Sequence, residues 1–308
     1  MRRAWCGVVV LLAACGGSSS SRYDVTIDAA PMIAALGAAD SDDVDAAVER
    51  LVALGAPVVP ALESAATREP RAVRLGAVDA LAQIEAPAAD DALARVATSD
   101  DDTEVRATAL VKLGERGSPQ ARPVLEAALA DPVAVVSQSA ALACGALCTS
   151  PAAIDRIVAL GLGPIASTDL GRLRGTLVRV LEGSDAKAAA YARATIDART
   201  REILDGSGSI EMRARAALLA ADAGATDVEP TLVAAAGTST DVALRLAAVG
   251  WLTRHGSATA VPALGALRQD PVVGPAATQA LRFLATQGVD GAKAAVATTP
   301  AVPTPAGG

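Results

Sequence analysis

The chain repeats itself at a fixed interval. Val73-Arg74 returns as Val105-Arg106 after 32 residues, and Met212-Arg213 returns as Leu244-Arg245 after the same 32. Small or apolar residues follow each pair in register: Ala77, Ala109, Ala216 and Ala248, then Leu81, Leu113, Ala220 and Leu252. Gly117, Gly224, Gly256 and Gly288 close the units. A period of this length belongs to an array of supersecondary units, each too small to bury its own apolar face and each completed by its neighbours.

One unit shows what the repeat is made of. Asp101 to Gly117 reads as a single amphipathic helix. Its acidic start supplies an N-cap and suits the positive end of the helix dipole. Val105, Ala109, Leu110 and Leu113 form one apolar stripe, and Gly114 and Gly117 stand where such a helix would stop. Between successive helices of this kind there is room for a turn and a second helix, as at 121–130, 228–236 and 259–267. Pro57, Pro123, Pro230 and Pro262 lie near the starts of these second helices, where a missing N–H costs little. Asp131-Pro132 and Asp270-Pro271 mark breaks between units. The chain is 52% hydrophobic but only 2% aromatic, which suits helices packed closely through Ala, Leu and Val. The expected class is all-α.

The pattern around Asp102–Gly117 resembles HEAT repeats, in the short bacterial form shared with phycobilin-lyase-like proteins. That form runs D-P-x-V-R-x-x-A-x-x-A-L-G-x-x-G, followed by a helix of A-x-x-x-L-x-x-L type. The resemblance spans about residues 40–290, within a repeat domain expected at 40–297, and implies an α-solenoid of stacked antiparallel helix pairs. It also implies that Arg74, Arg106, Arg213 and Arg245 form a ladder to acidic groups at the turns, with Asp100, Asp131, Asp241 and Asp270 as acceptors. The middle departs from the pattern. Ser137 stands where the Arg belongs, Arg174 is the next candidate, and the helix expected at 186–204 is unusually long, with Tyr191, Asp197 and Arg201 on it.

Residues 1–14 resemble a bacterial lipoprotein signal: Arg2 and Arg3, an apolar run, then Leu12-Ala13-Ala14-Cys15. The resemblance implies that Cys15 takes a lipid and becomes the first residue of the mature protein. Gly16 in place of Asp leans toward the outer membrane. The Gly/Ser run after Cys15 opens a tether and linker through residue 39, and the Pro/Thr/Gly-rich residues 298–308 are expected to be disordered.

The net charge of −7 argues against a nucleic-acid partner, which would require a basic surface. No catalytic constellation, metal-ligand set or cofactor motif is evident. His255 is the only histidine. Asp40–Asp45 lacks the turn Gly and distal Glu of a calcium loop and reads as helix capping. Cys144 and Cys148, four apart on an expected helix, suit either a disulfide or a buried core position. Arg116, near a helix end, is expected to lie on the surface.

The reading is a membrane-anchored scaffold that binds an unidentified protein partner through the concave face lined by second helices, with Arg95, Arg122, Glu126 and Arg156 as contact residues. A chromophore-binding enzyme resembling phycobilin lyases and a purely structural envelope protein are the alternatives.

Overall fold

The computed structural model of the chain describes residues 9–10, 27–163 and 165–298. Cys15, its flanking Gly/Ser run and residues 299–308 lie outside the described residues. Val9–Val10 (β1) and Ile27–Asp28 (β2) form a two-residue antiparallel ladder; every other element is helical. The helices fall into two compact units, residues 1–148 and 149–308.

The first unit contains α1 (Ala30–Ala35), α2 (Ser41–Leu54), α3 (Val59–Arg68), α4 (Arg71–Gln83), α5 (Pro87–Ser99), α6 (Thr103–Arg116), α7 (Ala121–Ala128) and α8 (Ala134–Ala143). The first helices of the repeats, α2, α4, α6 and α8, pack on one another in succession. The second helices α3, α5 and α7 do the same in a parallel layer. Local chemistry sets the boundaries. Asp40 N-caps α2 by accepting from the Asp42 amide. Asp102 caps α6 by accepting from the amides of Glu104 and Val105, and Gly117 ends it in the left-handed region at φ 63°. The expected stripe of Val105, Ala109, Leu110 and Leu113 has no exposed surface. Helical structure reaches into the stretch read as linker: α1 lies there, and Leu36 after it is buried against Gly76 of α4.

Gly114 does not stop α6. It lies within the helix, and its bare Cα lets the backbone of Ala143, at the end of α8, approach closely. Within the uncharged stretch 132–154, Val136, Ala140, Ala141 and Ala153 are buried while Val135 is exposed. No helix among the described residues is long and apolar enough to cross a membrane. Cys144 and Cys148 are bridged, with Cα atoms 5.2 Å apart, and both are fully buried. They do not share a helix: α8 ends at Ala143, and Gly145 takes φ 49°.

The second unit contains α9 (Pro151–Leu162), α10 (Ser167–Leu181), α11 (Ala186–Asp205), α12 (Ile210–Asp222), α13 (Glu229–Thr238), α14 (Val242–His255), α15 (Val261–Leu267), α16 (Gly274–Thr286) and α17 (Ala292–Ala297). Here α12, α14 and α16 stack as first helices and α13, α15 and α17 as second helices. The irregular part is α9 to α11. The long α11 matches the expected span to within a residue, and α10 reaches both α12 and α14 instead of a single neighbour. Gly224 and Gly288 take positive φ, but Gly256 does not; an added Cβ there would meet the Leu252 carbonyl. His255 ends α14, its ring 5.1 Å from that of Trp251.

The arginine ladder is real but incomplete. Arg74 Nη2 donates to Asp100 at 3.2 Å, and Asp100 also accepts from the Asp102 amide, so one carboxylate ties a repeat to the start of the next. Arg106 donates to the Asp100 carbonyl at 2.8 Å and lies 3.9 Å from Asp131. Arg245 bonds the Ala236 carbonyl at 2.9 Å and pairs with Asp270. Arg174 grips Asp222 through two bonds of 2.6 Å.

Arg213 is the exception: it does not reach Asp241. Asp241 instead accepts from Ser167 of α10, and Ser167 receives Arg215 Nη2 at 2.7 Å. The reach of α10 to α14 has displaced the rung. The same irregular packing leaves Met212 about half exposed, although its counterparts Val73, Val105 and Leu244 are buried. Burial alone would push the Asp241 carboxyl up, but the bonds from Ser167 and the amides of Leu244 and Ala243, with the charge of Arg215, hold it below the usual range.

The Asp270 rung gives a test. Its bond from Arg245, helped by the Val273 and Val272 amides, lowers its pKa from 3.8 to about 2. A carboxylate whose folded-state pKa is depressed adds stability above its unfolded-state pKa and loses it as pH falls through the folded value. Arg245→Ala should therefore be less stable than wild type by a constant margin near neutral pH, and that margin should shrink between about pH 4 and pH 2. Urea midpoints of both proteins across this range check it; an unchanged margin at pH 2 would refute the assignment.

Candidate protein-binding face

The layer of second helices in the first unit carries three of the four contact residues expected from sequence. Arg95 sits on α5 with its side chain 54% exposed. It is not an open cation. Its Nε and Nη2 both donate to Glu63 of α3, the second at 2.8 Å, so the pair bridges consecutive second helices. The Glu63 bond raises the Arg95 pKa, burial opposes that, and the charges of Glu63 and Asp91 add to it. Arg122 and Glu126 form a pair one turn apart on α7, at 3.3 Å, with the Arg122 side chain 48% exposed. Arg95 lies on the far side of α5 from the buried Leu93 and Val96, whereas Arg122 and Glu126 flank the buried Ala121 and Leu125 of α7.

Arg156 is exposed on α9, in the second unit. Next to it in sequence, Asp155 accepts the Tyr191 hydroxyl of α11 at 3.0 Å and Thr195 at 3.3 Å. Farther along α11, Asp197 and Arg201 pair with each other in solvent. The expected contact residues therefore divide between two surfaces, one in each unit.

A third feature escaped the sequence reading. An open cleft of about 650 Å³ lies between the turn joining α4 to α5 and the end of α6. Asp90 and Arg116 line it as a pair, and Arg116 Nη1 also donates to the Ala82 carbonyl at 2.8 Å. Arg116 is thus not the surface residue its place near a helix end suggested; its side chain is 15% exposed and that of Asp90 10%. The cleft rim carries Glu85, Glu115 and Lys112. Among the described residues no group of three His, Cys, Asp or Glu side chains is placed to hold a metal ion.

A family model described as HEAT repeats matches residues 29–111, 96–166 and 198–284. The chain belongs to the HEAT repeat family. The HEAT match is interrupted where α10 and the first half of α11 stand, and Ser167, which bonds Asp241, opens that gap. Similar solved structures include YibA of Escherichia coli, at 17% identity over 88% of this chain and 99% of that one, with a TM-score of 0.42. Human deoxyhypusine hydroxylase in complex with glycerol is 18% identical over 74% of this chain and 96% of that one, with a TM-score of 0.31. Importin beta is 13% identical over 87% of this chain and 46% of that one, with a TM-score of 0.38. No curated protein matches the chain.

Proposed function

We propose that this HEAT-repeat protein is a non-enzymatic scaffold of the bacterial cell envelope, anchored by a lipid on Cys15 and binding a protein partner on its second-helix face. The observation that carries the binding role is the Glu63–Arg95 bridge beside the Arg122–Glu126 pair, an exposed charged surface on a rigid two-layer frame. Such a surface favours several modest polar contacts with an extended or helical segment, with specificity set by charge placement. The anchor rests on the lipobox and the Gly/Ser run after it, which together place a folded body at a membrane surface facing the periplasm, with the outer membrane favoured by Gly16.

The test combines charge reversal with capture. Arg95→Glu/Arg122→Glu should retain the helical circular-dichroism signal and lose at least about tenfold in partner capture by cross-linking in the native host. Capture at the wild-type level would overturn the assignment, and loss on Tyr191→Ala instead would move the site to α11. Mass spectrometry of the mature N-terminus should find a lipid-modified Cys15; a soluble protein with an unmodified Cys15 would remove the anchor from the proposal.

A further inference from the structure

The turn that leaves α8 is built differently from its counterpart after α6, which ends on the left-handed Gly117. In α8 the ladder position is Ser137, whose Oγ donates to the Ala134 carbonyl of its own helix, so the rung that would tie this repeat onward is missing. Straight after α8 the chain carries the Cys144–Cys148 disulfide, at the end of the first unit. The bridged residues make a tight turn: Leu147 N donates to the Cys144 carbonyl at 2.8 Å, Gly145 takes φ 49°, and Gly145 and Ala146 form its crest. Ser150 then caps α9.

The apolar pattern of α8 does not end where the helix does. Val136 and Ala140 are buried on its inner face, and the same four-residue spacing continues through Cys144 to Cys148. A helix carried on to Cys148 would keep all four residues on one stripe. Its amides at 145–148 would bond the carbonyls of Ala141, Leu142, Ala143 and Cys144. Residues four apart on a helix have Cα atoms about 6 Å apart, whereas the bridge holds them at 5.2 Å in a turn that is not helical. The start of the extension is firmly held, because Ala143 is seated on the bare Cα of Gly114.

We propose that the Cys144–Cys148 disulfide is a redox-controlled stop for α8. Oxidised, it ends the helix at Ala143 and leaves a bridged turn between α8 and α9. Reduced, α8 extends to Cys148 and only Thr149 and Ser150 remain as the connection. The step is a thiol–disulfide exchange with a dithiol reductant. Both sulfurs are buried, so the reductant's thiolate attacks one of them when the turn at Gly145 and Ala146 opens; its second thiol resolves the mixed disulfide, two electrons and two protons pass to Cys144 and Cys148, and the reductant leaves as its own disulfide. Gly145 keeps the two states close in energy, since it tolerates the positive φ of the turn and weakens the longer helix.

Hydrogen exchange with mass spectrometry on the full chain tests this, using peptides that cover residues 145–148. Excess dithiothreitol should convert both cysteines to thiols that iodoacetamide then labels, and exchange at 145–148 should slow by at least about tenfold as the amides become helical. Cys144→Ala/Cys148→Ala should show the slowed exchange without reductant. The reduced wild-type chain carries the test if that variant does not fold. Exchange that is unchanged or faster after reduction, or a bridge that resists the reductant while the protein stays folded, would overturn the proposal.

Discussion

Gly114→Ala should destabilise the first unit by about 1–3 kcal/mol, the opposite of what helix propensity alone dictates. Replacing Gly with Ala inside a helix normally adds about 0.5–1 kcal/mol by restricting the unfolded chain. At Gly114 the new Cβ would stand 2.7 Å from the Ala143 Cβ and 2.8 Å from its carbonyl carbon, and closer still to the carbonyl oxygen. The obstructing atoms are mostly backbone at the end of α8, which cannot rotate aside as a side-chain tip does. Relief requires α6 and α8 to separate, and that opens the core around Leu110 and Leu113. Gly250→Ala is the matched control. Gly250 lies inside α14, nothing stands within 4 Å of its added Cβ, and its φ is not positive. It should stabilise by about 0.5–1 kcal/mol. Denaturant midpoints of the two variants should move in opposite directions, and equal shifts would show that α6 and α8 tolerate separation.

The contrast explains what the sequence can convey. Gly114 and Gly117 look alike as letters, and both fit a helix stop. Only the neighbouring helix tells them apart: one is a left-handed cap, the other a contact point. Local grammar was legible where the cause is local. Asp40, Asp102 and Asp241 all cap helices through amides two or three residues on, and the stripe of α6 is buried as its spacing requires. Tertiary causes were not legible. Arg213 carries the same ladder signature as Arg245, yet α10 delivers Ser167 to Asp241 and takes the acceptor away. Cys144 and Cys148 have helical spacing, but α8 ends at Ala143 and Gly145 takes a positive φ, so they share no helix.

The candidate face shows the same division. Arg95 and Arg122 are exposed, in keeping with their place off the apolar stripes. The partner of Arg95 was within reach of sequence reasoning, since Glu63 precedes it by 32 residues, one repeat. A period that stacks Val73 and Val105 on neighbouring first helices stacks Glu63 and Arg95 on neighbouring second helices as well. Asp90 and Arg116 had no such signal. They are 26 residues apart on a second helix and the following first helix, and nothing in the repeat marks that pairing.

That pair should give a large loss of stability when its arginine is removed. Arg116→Ala removes the cation facing a carboxylate whose residue is only 7% exposed, and it also strips the donor from the Ala82 carbonyl. The pair borders an open cleft, so water compensates part of the stranded charge, and the loss should be about 1–3 kcal/mol. Arg201→Ala breaks a pair with both side chains more than half exposed, and it should fall within about 0.5 kcal/mol of wild type because solvent already screens it. The double variant Asp90→Ala/Arg116→Ala should recover part of the loss seen in Arg116→Ala, since it removes the stranded carboxylate as well. A double-mutant cycle on urea midpoints separates this coupling from loss of packing. If Arg116→Ala and Arg201→Ala unfold at the same midpoint, the pair contributes no more than a surface contact and the cleft floor is not fixed by it. If the double variant is no more stable than Arg116→Ala, the loss comes from the arginine's packing and its bond to Ala82, and the Asp90 charge is not its cause.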